Sequence, residues 1–537
     1  MKYSVSVAMG NPSVRRCHSL GMSSCALPSL LVLLLSLSFA AGQVWPQCGS
    51  LGGPSTTWNN GNGSWGVAGN WTSGTPSAST NACILNGTST VTLDTNGNAL
   101  GLQLSSGNIL VIPGGSLSLL GASSNDGTIS VSNYPTAINR GNLINSGTFL
   151  NASGGAIADS GIVTNSGTFT NAGAFYVVGG ALLTSGTFTN TADPHAQFVI
   201  ANGGMINSGA FYNYGTVLNR DGVENTSGAS FINYGTLNSQ FPSVINNSGT
   251  FLNTSGGTIN TNDMVFNNYG TLSNAGTLNN TSGSIVSTLN NSGTLLNTFG
   301  GTFFNDSVST LTNAGIVINS GTINNSGIMY NSGIFINSGA VAISSSGLFT
   351  TNTNYTQTAG STLVNGNLSA TGSAIVNIRG GTLGGTGTIN GNVLMGATIM
   401  PGAPGTPGTL TIFGNYEQTG TGILTDLMGP LSQSFLNVSG NAKLDSGSFL
   451  NIVLLNGFNP LGKTFSIMDY RALTGQFSNG SSFWDDGFLW DISYGQNQID
   501  VTAVQAPEPS SLLLIFIGLV ALAFYAHRKM DKKQRLA

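Results

Sequence analysis

The phrase NSGTFLN at Asn145 to Asn151 returns as NSGTFTN from Asn165, NSGAFYN from Asn207, NSGTFLN from Asn247 and NSGTLLN from Asn291. Repetition of this kind limits the fold to arrays in which each unit stacks on a near copy of itself. The glycines of the successive copies include Gly147, Gly167, Gly186, Gly209, Gly228 and Gly249, and the steps between them average about 21 residues. An apolar side chain follows two positions later, as in Phe149, Phe169, Phe188, Phe211, Phe251 and Leu272. Asparagine follows four positions later, as in Asn151, Asn171, Asn190, Asn213, Asn253 and Asn274. The Gly228 copy has one extra residue, which moves its pair to Phe231 and Asn233. A second glycine trails the first, at Gly215, Gly235, Gly256, Gly276, Gly300 and Gly321, so each repeat divides into three segments of roughly seven residues.

Seven residues accommodate one short strand and one turn, since a strand rises ~3.3 Å per residue and Asn and Gly favour turns. Three such segments make a triangular coil too small to bury a core alone. Stacked ~4.8 Å apart, coils satisfy one another's backbone groups and place Phe on Phe inside and Asn on Asn at a corner. The expected fold is therefore all-β: a parallel β-solenoid (β-helix) of about 21-residue coils, with capping β-regions at both ends. A disordered polar tract is the competing reading of a chain with 6% charged residues and 77 glycines. Against it, 40% of the residues are hydrophobic and they keep register with glycine. The asparagine row reads as a stack of mutually hydrogen-bonded turn residues, with a ligand-binding row as the alternative.

The ends read as export signals. After Arg15 and Arg16, the uncharged run ALPSLLVLLLSLSFAAGQ ends in small residues, as a secretory signal peptide does, which places cleavage near residues 40 to 42. Met22 is a second candidate start, and SVRRCHS is compatible with a degenerate twin-arginine signal. At the other end, Pro507, Glu508 and Pro509 precede an uncharged run from Ser510 to Ala526. That run is just long enough for one transmembrane helix, and Arg528, Lys529, Lys532 and Lys533 behind it form a basic stop on the cytoplasmic side. Between the ends, Ala41 to Gln505 holds 16 acidic and 6 basic residues, a net of −10 that offers no basic face to nucleic acid. Cys48 and Cys83 are the cysteines of this body, and in an oxidising compartment they either pair or stay free.

These boundaries divide the chain into a signal peptide (1–42), an N-terminal β-region and cap (43–140), the Asn/Gly-rich repeat solenoid (141–350), a second β-region with a C-terminal cap (351–505) and a sorting tail (506–537). From Gly380 the wording becomes GGTLGGTGTINGNVLMGATIMPGAPGTPGTLTIFGNYEQTG, and up to Val504 the chain resembles the passenger region of autotransporter-like surface proteins. Only about 30 residues follow, too few for the ~10-residue strands of an outer-membrane barrel, so self-translocation is not expected. The tail resembles the PEP-CTERM sorting signal, with Pro507, Glu508 and Pro509 matching its motif and a basic end longer than that family's short Arg-rich one. The resemblance implies an exosortase-type processing enzyme as partner and transient anchoring in a bacterial inner membrane. It further implies release to the cell surface or matrix, with exopolysaccharide or the envelope as possible partners.

Catalytic signals are sparse. His195 is the sole histidine between the ends and has no cysteine nearby to build a zinc site or a nucleophile pair. In WDDGFLWD, Asp485, Asp486 and Asp491 sit beside Trp484 and Trp490; they read as turn acids and a cap, with a paired-carboxylate glycosidase site as the alternative. Trp58, Trp65 and Trp71 read as a cover for the first coil, with glycan stacking as the alternative. The expectation is a structural or adhesive surface protein needing no cofactor and no catalytic residues. A carbohydrate-binding matrix module and a β-helix polysaccharide-degrading enzyme are the other classes.

Overall fold

The computed structural model describes residues 51–59, 61–132, 136–283, 285–505 and 511–534, giving only the backbone for residues 136, 511–515 and 529–534. The described residues all belong to one compact unit, Cys48–Ala537. Its strands form three sheets of 23, 20 and 19 members, which are the three faces of a solenoid. One coil shows the plan. Asn142–Asn145 lies on the first face, Thr148–Asn151 on the second and Ala156–Asp159 on the third. The next coil begins at Ile162–Asn165, parallel to the first and paired residue for residue.

Four-residue strands with alternating exposure place their second and fourth residues inside, and through most of the repeat region these are one apolar and one polar side chain. On the second face the apolar row is the expected aromatic stack. Phe149, Phe169, Phe188, Phe211, Phe231 and Phe251 pair in register, with successive ring centroids 4.3 to 4.9 Å apart. Offset stacking at this spacing adds roughly 0.5–1.5 kcal/mol per pair beyond the area buried.

The polar row turns the corners. Asn171 Nδ2 donates to Asn190 Oδ1 at 2.8 Å, and Asn190 Nδ2 donates to Asn213 Oδ1 at 2.8 Å. The same nitrogens donate to the carbonyls that open the next strand, Gln197 O at 3.0 Å and Thr216 O at 3.1 Å. Each asparagine thus joins two coils and one corner, a task that needs an acceptor and two donors on one short side chain. There are three such ladders. The sequence spacing marks the second-face ladder. A matching ladder closes the first face, where Asn145 Nδ2 donates to Asn165 Oδ1 at 2.7 Å. A shorter one closes the third face, where Asn280 donates to Asn305 and Asn305 to Asn325.

Glycine fills the corners because the backbones there nearly touch. A Cβ on Gly167 or Gly186 would overlap the carbonyl oxygen of Gly147 or Gly167 in the preceding coil. Towards the C-terminus glutamine replaces asparagine: Gln418 Nε2 donates to Gly422 O and Phe449 O, both at 2.9 Å, and Tyr416 Oη donates to Gln418 Oε1 at 2.8 Å. The Tyr-x-Gln spacing is therefore an interior pair, and burial pushes the Tyr416 phenol above its usual range.

The winding continues through both flanking regions. It starts with Ser55–Thr57 on Asn81–Ile84 and ends with Phe449–Leu454 on the third face and Ala472–Gly475 on the second. On the first face Thr464–Asp469 passes into antiparallel pairing with Gln498–Val504, followed by Phe488–Tyr494 and Ser482–Asp485. A separate helix covers Ser511–Gln534. Among the described residues no helix is long and apolar enough to cross a membrane, and the transmembrane run expected over Ser510 to Ala526 begins outside them.

Candidate functional surfaces

The two ends of the stack are closed by side chains. At the first coil, Trp58 and Trp65 each pack edge-on against Trp71, with centroids 5.0 and 4.9 Å away. Trp71 Nε1 donates to Trp65 O and Trp58 Nε1 to Gly61 O, so these two indoles have their partners inside the fold. Their exposures are 3%, 2% and 3% for Trp58, Trp65 and Trp71. This corrects the glycan-stacking alternative for these three residues, because a buried ring has no free face for a sugar. Cys83 is buried in the strand Asn81–Ile84 and is disulfide-bonded; Cys48 lies outside the described residues.

At the last coil, the acids of WDDGFLWD satisfy a sheet edge. The strand Phe449–Leu454 has no further parallel neighbour, and its donors are met by side chains of the cap. Ile452 N donates to Asp485 Oδ2, Leu454 N to Asp486 Oδ2 and Leu450 N to Asn479 Oδ1. Asp486 at φ 43° and Gly487 at φ 83° form the two-residue turn of the hairpin, the backbone region that Asp-Gly supplies best. Asp491 accepts from Ser482 Oγ on the neighbouring strand. These carboxylates are committed to the cap rather than opposed across a cleft, as a glycosidase pair requires.

His195 has company that the sequence does not foretell. Ser153 Oγ and Asp193 Oδ1 lie 3.3 and 3.1 Å from its ring. Both meet the same nitrogen, Nδ1, whereas a serine nucleophile and its orienting acid use opposite ring nitrogens. With His195 59% exposed, the cluster is a surface turn. The backbone N–H of His195, followed by the hydroxyl and the ring, holds the Asp193 carboxyl below its usual value. Among the described residues no group of three or more His, Cys, Asp or Glu is placed to hold a metal.

Two interior acids were also illegible as such. Asp159 occupies a place in the third-face ladder, where Asn139 Nδ2 donates to its Oδ1 at 2.7 Å and Oδ2 has no partner. Burial raises its pKa to about 6. Asp426 is buried with neither carboxyl oxygen partnered, and burial holds its pKa well above the carboxylate range.

The interior void among Ile129, Phe149 and Phe169 measures about 20 Å³, room for no more than a water-sized group. Open concavities lie outside, on the third face. There the strands Thr236–Gln240, Thr258–Asn262 and Thr277–Thr281 are five residues long, and clefts of about 290 and 670 Å³ meet at Asn279 and Thr281.

No family model and no curated protein matches the chain. Among solved structures it is similar to the crystal structure of the Haemophilus influenzae Hap adhesin, at 10% identity and a TM-score of 0.34, over 79% of this chain and 63% of that one. The chain therefore spans less than two thirds of that protein's length.

The sorting motif Pro507, Glu508 and Pro509 lies outside the described residues. Of the basic stop, Arg528 is exposed on the C-terminal helix; Lys529, Lys532 and Lys533 continue the same helix.

Proposed function

We propose that this chain is an exported bacterial surface or extracellular-matrix protein with a structural or adhesive role. The observation that carries this reading is how the solenoid spends its side chains. The inward rows are used up by stacked rings and amide ladders, and the ends are closed by Trp71 and its neighbours and by Asp485 and Asp486. What remains for recognition is a long, regular outer surface of low charge, suited to presenting contacts in series. Capped ends also suit life outside the cell, because an open coil would pair with other chains.

Sorting is the second part of the proposal. Pro507, Glu508 and Pro509 are read by an exosortase-type enzyme while the uncharged run Ser510 to Ala526 holds the protein in the inner membrane, with Arg528, Lys529, Lys532 and Lys533 on the cytoplasmic side. The disulfide of Cys83 supports passage through an oxidising compartment, with Cys48 as the proposed partner.

The reading is tested on intact producing cells. Antibody raised against the purified chain should label unpermeabilised cells or their matrix, and deletion of the coding sequence should reduce attachment to surfaces or between cells. Labelling that appears only after permeabilisation would contradict it.

A further inference from the structure

On the third face a row of outward amides, an exposed ring and two clefts coincide. Its outward row runs in register through Asn238, Asn260, Asn279, Phe304 and Asn324. The corner ladders point inward; here, as at Asn246, Asn267 and Asn290 on the first face, an amide ladder lies on the outside, and on the third face an exposed ring joins it. Asn260 Nδ2 donates to Asn238 Oδ1 at 2.7 Å, and Asn279 Nδ2 donates to Asn260 Oδ1 at 2.8 Å. The amide planes are thereby fixed, each with polar valences left over for a ligand. Phe304 interrupts the row with a ring 41% exposed.

The row runs beside a corner whose residues Asp306, Ser307, Ser326 and Ser346 line the larger cleft. That corner is held from the preceding coil, where Ser282 N donates to Asp306 Oδ2 at 2.7 Å. Gly283 N and Ile285 N both donate to Asp263 Oδ1, at 2.7 and 2.9 Å. Asp306 Oδ1 accepts from Val308 N and Ser309 N. Asp306 is the one titratable residue lining the two clefts, and both its oxygens are engaged within the fold.

We infer that this groove binds a neutral polysaccharide lying along the solenoid axis, with Phe304 stacking on one sugar and the asparagine amides hydrogen-bonding hydroxyls of its neighbours. A row of fixed amides repeating every ~4.8 Å suits a repeating polyhydroxylated chain. Amides both donate and accept, as hydroxyls do, and an exposed ring set among them suits the apolar face of a pyranose. No cation lines the groove to attract a polyanion. A peptide strand would need an open sheet edge to pair with, and this is a sheet face.

The inference rests on the surface reading above, and its test is separable from that one. The full chain is run in native gels containing hydroxyethylcellulose, dextran or alginate, and titrated with cello- and malto-oligosaccharides. At least one neutral glucan should retard it, and added salt should leave the retardation in place. Phe304→Ala should weaken binding about tenfold, as loss of one stacked contact implies. Asn279→Leu should do likewise, while Phe299→Ala, which removes a ring 91% exposed on the same coil but at another corner, should change nothing. The groove assignment is overturned if no neutral glycan binds, if alginate is preferred, or if Phe304→Ala binds like the parent. Any of these with normal surface labelling leaves the surface reading intact; absence of surface labelling defeats that reading whatever the gels show.

Discussion

Gly186 and Gly222 are both glycines of the stack, yet different constraints act on them. A Cβ on Gly186 would overlap the carbonyl oxygen of Gly167, backbone that cannot swing away, whereas one on Gly222 meets nothing within 4 Å. Gly186→Ala should therefore destabilise the flanking coils by about 1–3 kcal/mol, and Gly222→Ala should stay within about ±0.5 kcal/mol, as read by hydrogen exchange of those coils. Equal effects at the two sites would show that close approach is not what fixes glycine at the corner. Asp159 gives the second residue-scale test. Its folded pKa of about 6 lies above the 3.8 of an unburied aspartate, so the folded chain holds the proton more tightly than the unfolded one. Folding is favoured below that window, and the advantage is lost as pH rises from about 4 to about 6, by at most about 3 kcal/mol. Asp159→Asn should abolish this pH dependence in the surrounding coils and raise their stability at pH 7; an unchanged pH profile would remove burial of Asp159 as its source. The spacing of glycine, phenylalanine and asparagine was legible in the sequence because each recurs once per coil. The position of Asp159 was not, because the third-face ladder has few members and Val177 follows Asp159 in register.

At the scale of elements, the strands of the repeat region followed from alternation and spacing, while the flanking coils did not announce themselves in the same words. In Ile109–Ile112 and Thr128–Val131 both inward positions are apolar, Leu110 with Ile112 and Ile129 with Val131, so no polar ladder marks the corner. The outer asparagines at 238, 260 and 279 were hidden for a related reason: asparagine is frequent at corners, and only strand register separates an outward from an inward copy. The C-terminal cap is the element whose removal is most readily seen. Replacing Asp485 and Asp486 together by Ala takes acceptors from Ile452 N and Leu454 N and leaves the last parallel strand a bare edge. Faster hydrogen exchange at these two amides is expected, together with concentration-dependent self-association in light scattering. Unchanged exchange and a monomeric variant would show that the hairpin itself, not its carboxylates, closes the stack.

For the whole molecule, the same rule acts at every level: each coil is stable only against a neighbour that matches it, so the inside is devoted to matching. Twenty strands on the second face, ~4.8 Å apart, make a stack on the order of 90 Å long. The sequence features outside that stack, an apolar run before it and a Pro-Glu-Pro motif behind it, are the ones on which the proposed export and sorting rest. The measurement that tests this most directly is the mass of the C-terminus of the protein recovered from the surface of the producing cells, for the parent chain and for Glu508→Ala. The account predicts a parent chain that has lost the basic tail beyond Ala526 and a Glu508→Ala chain retained in the membrane fraction with its tail intact. A Glu508→Ala protein that reaches the surface at the normal rate with the parent's mature mass would contradict it.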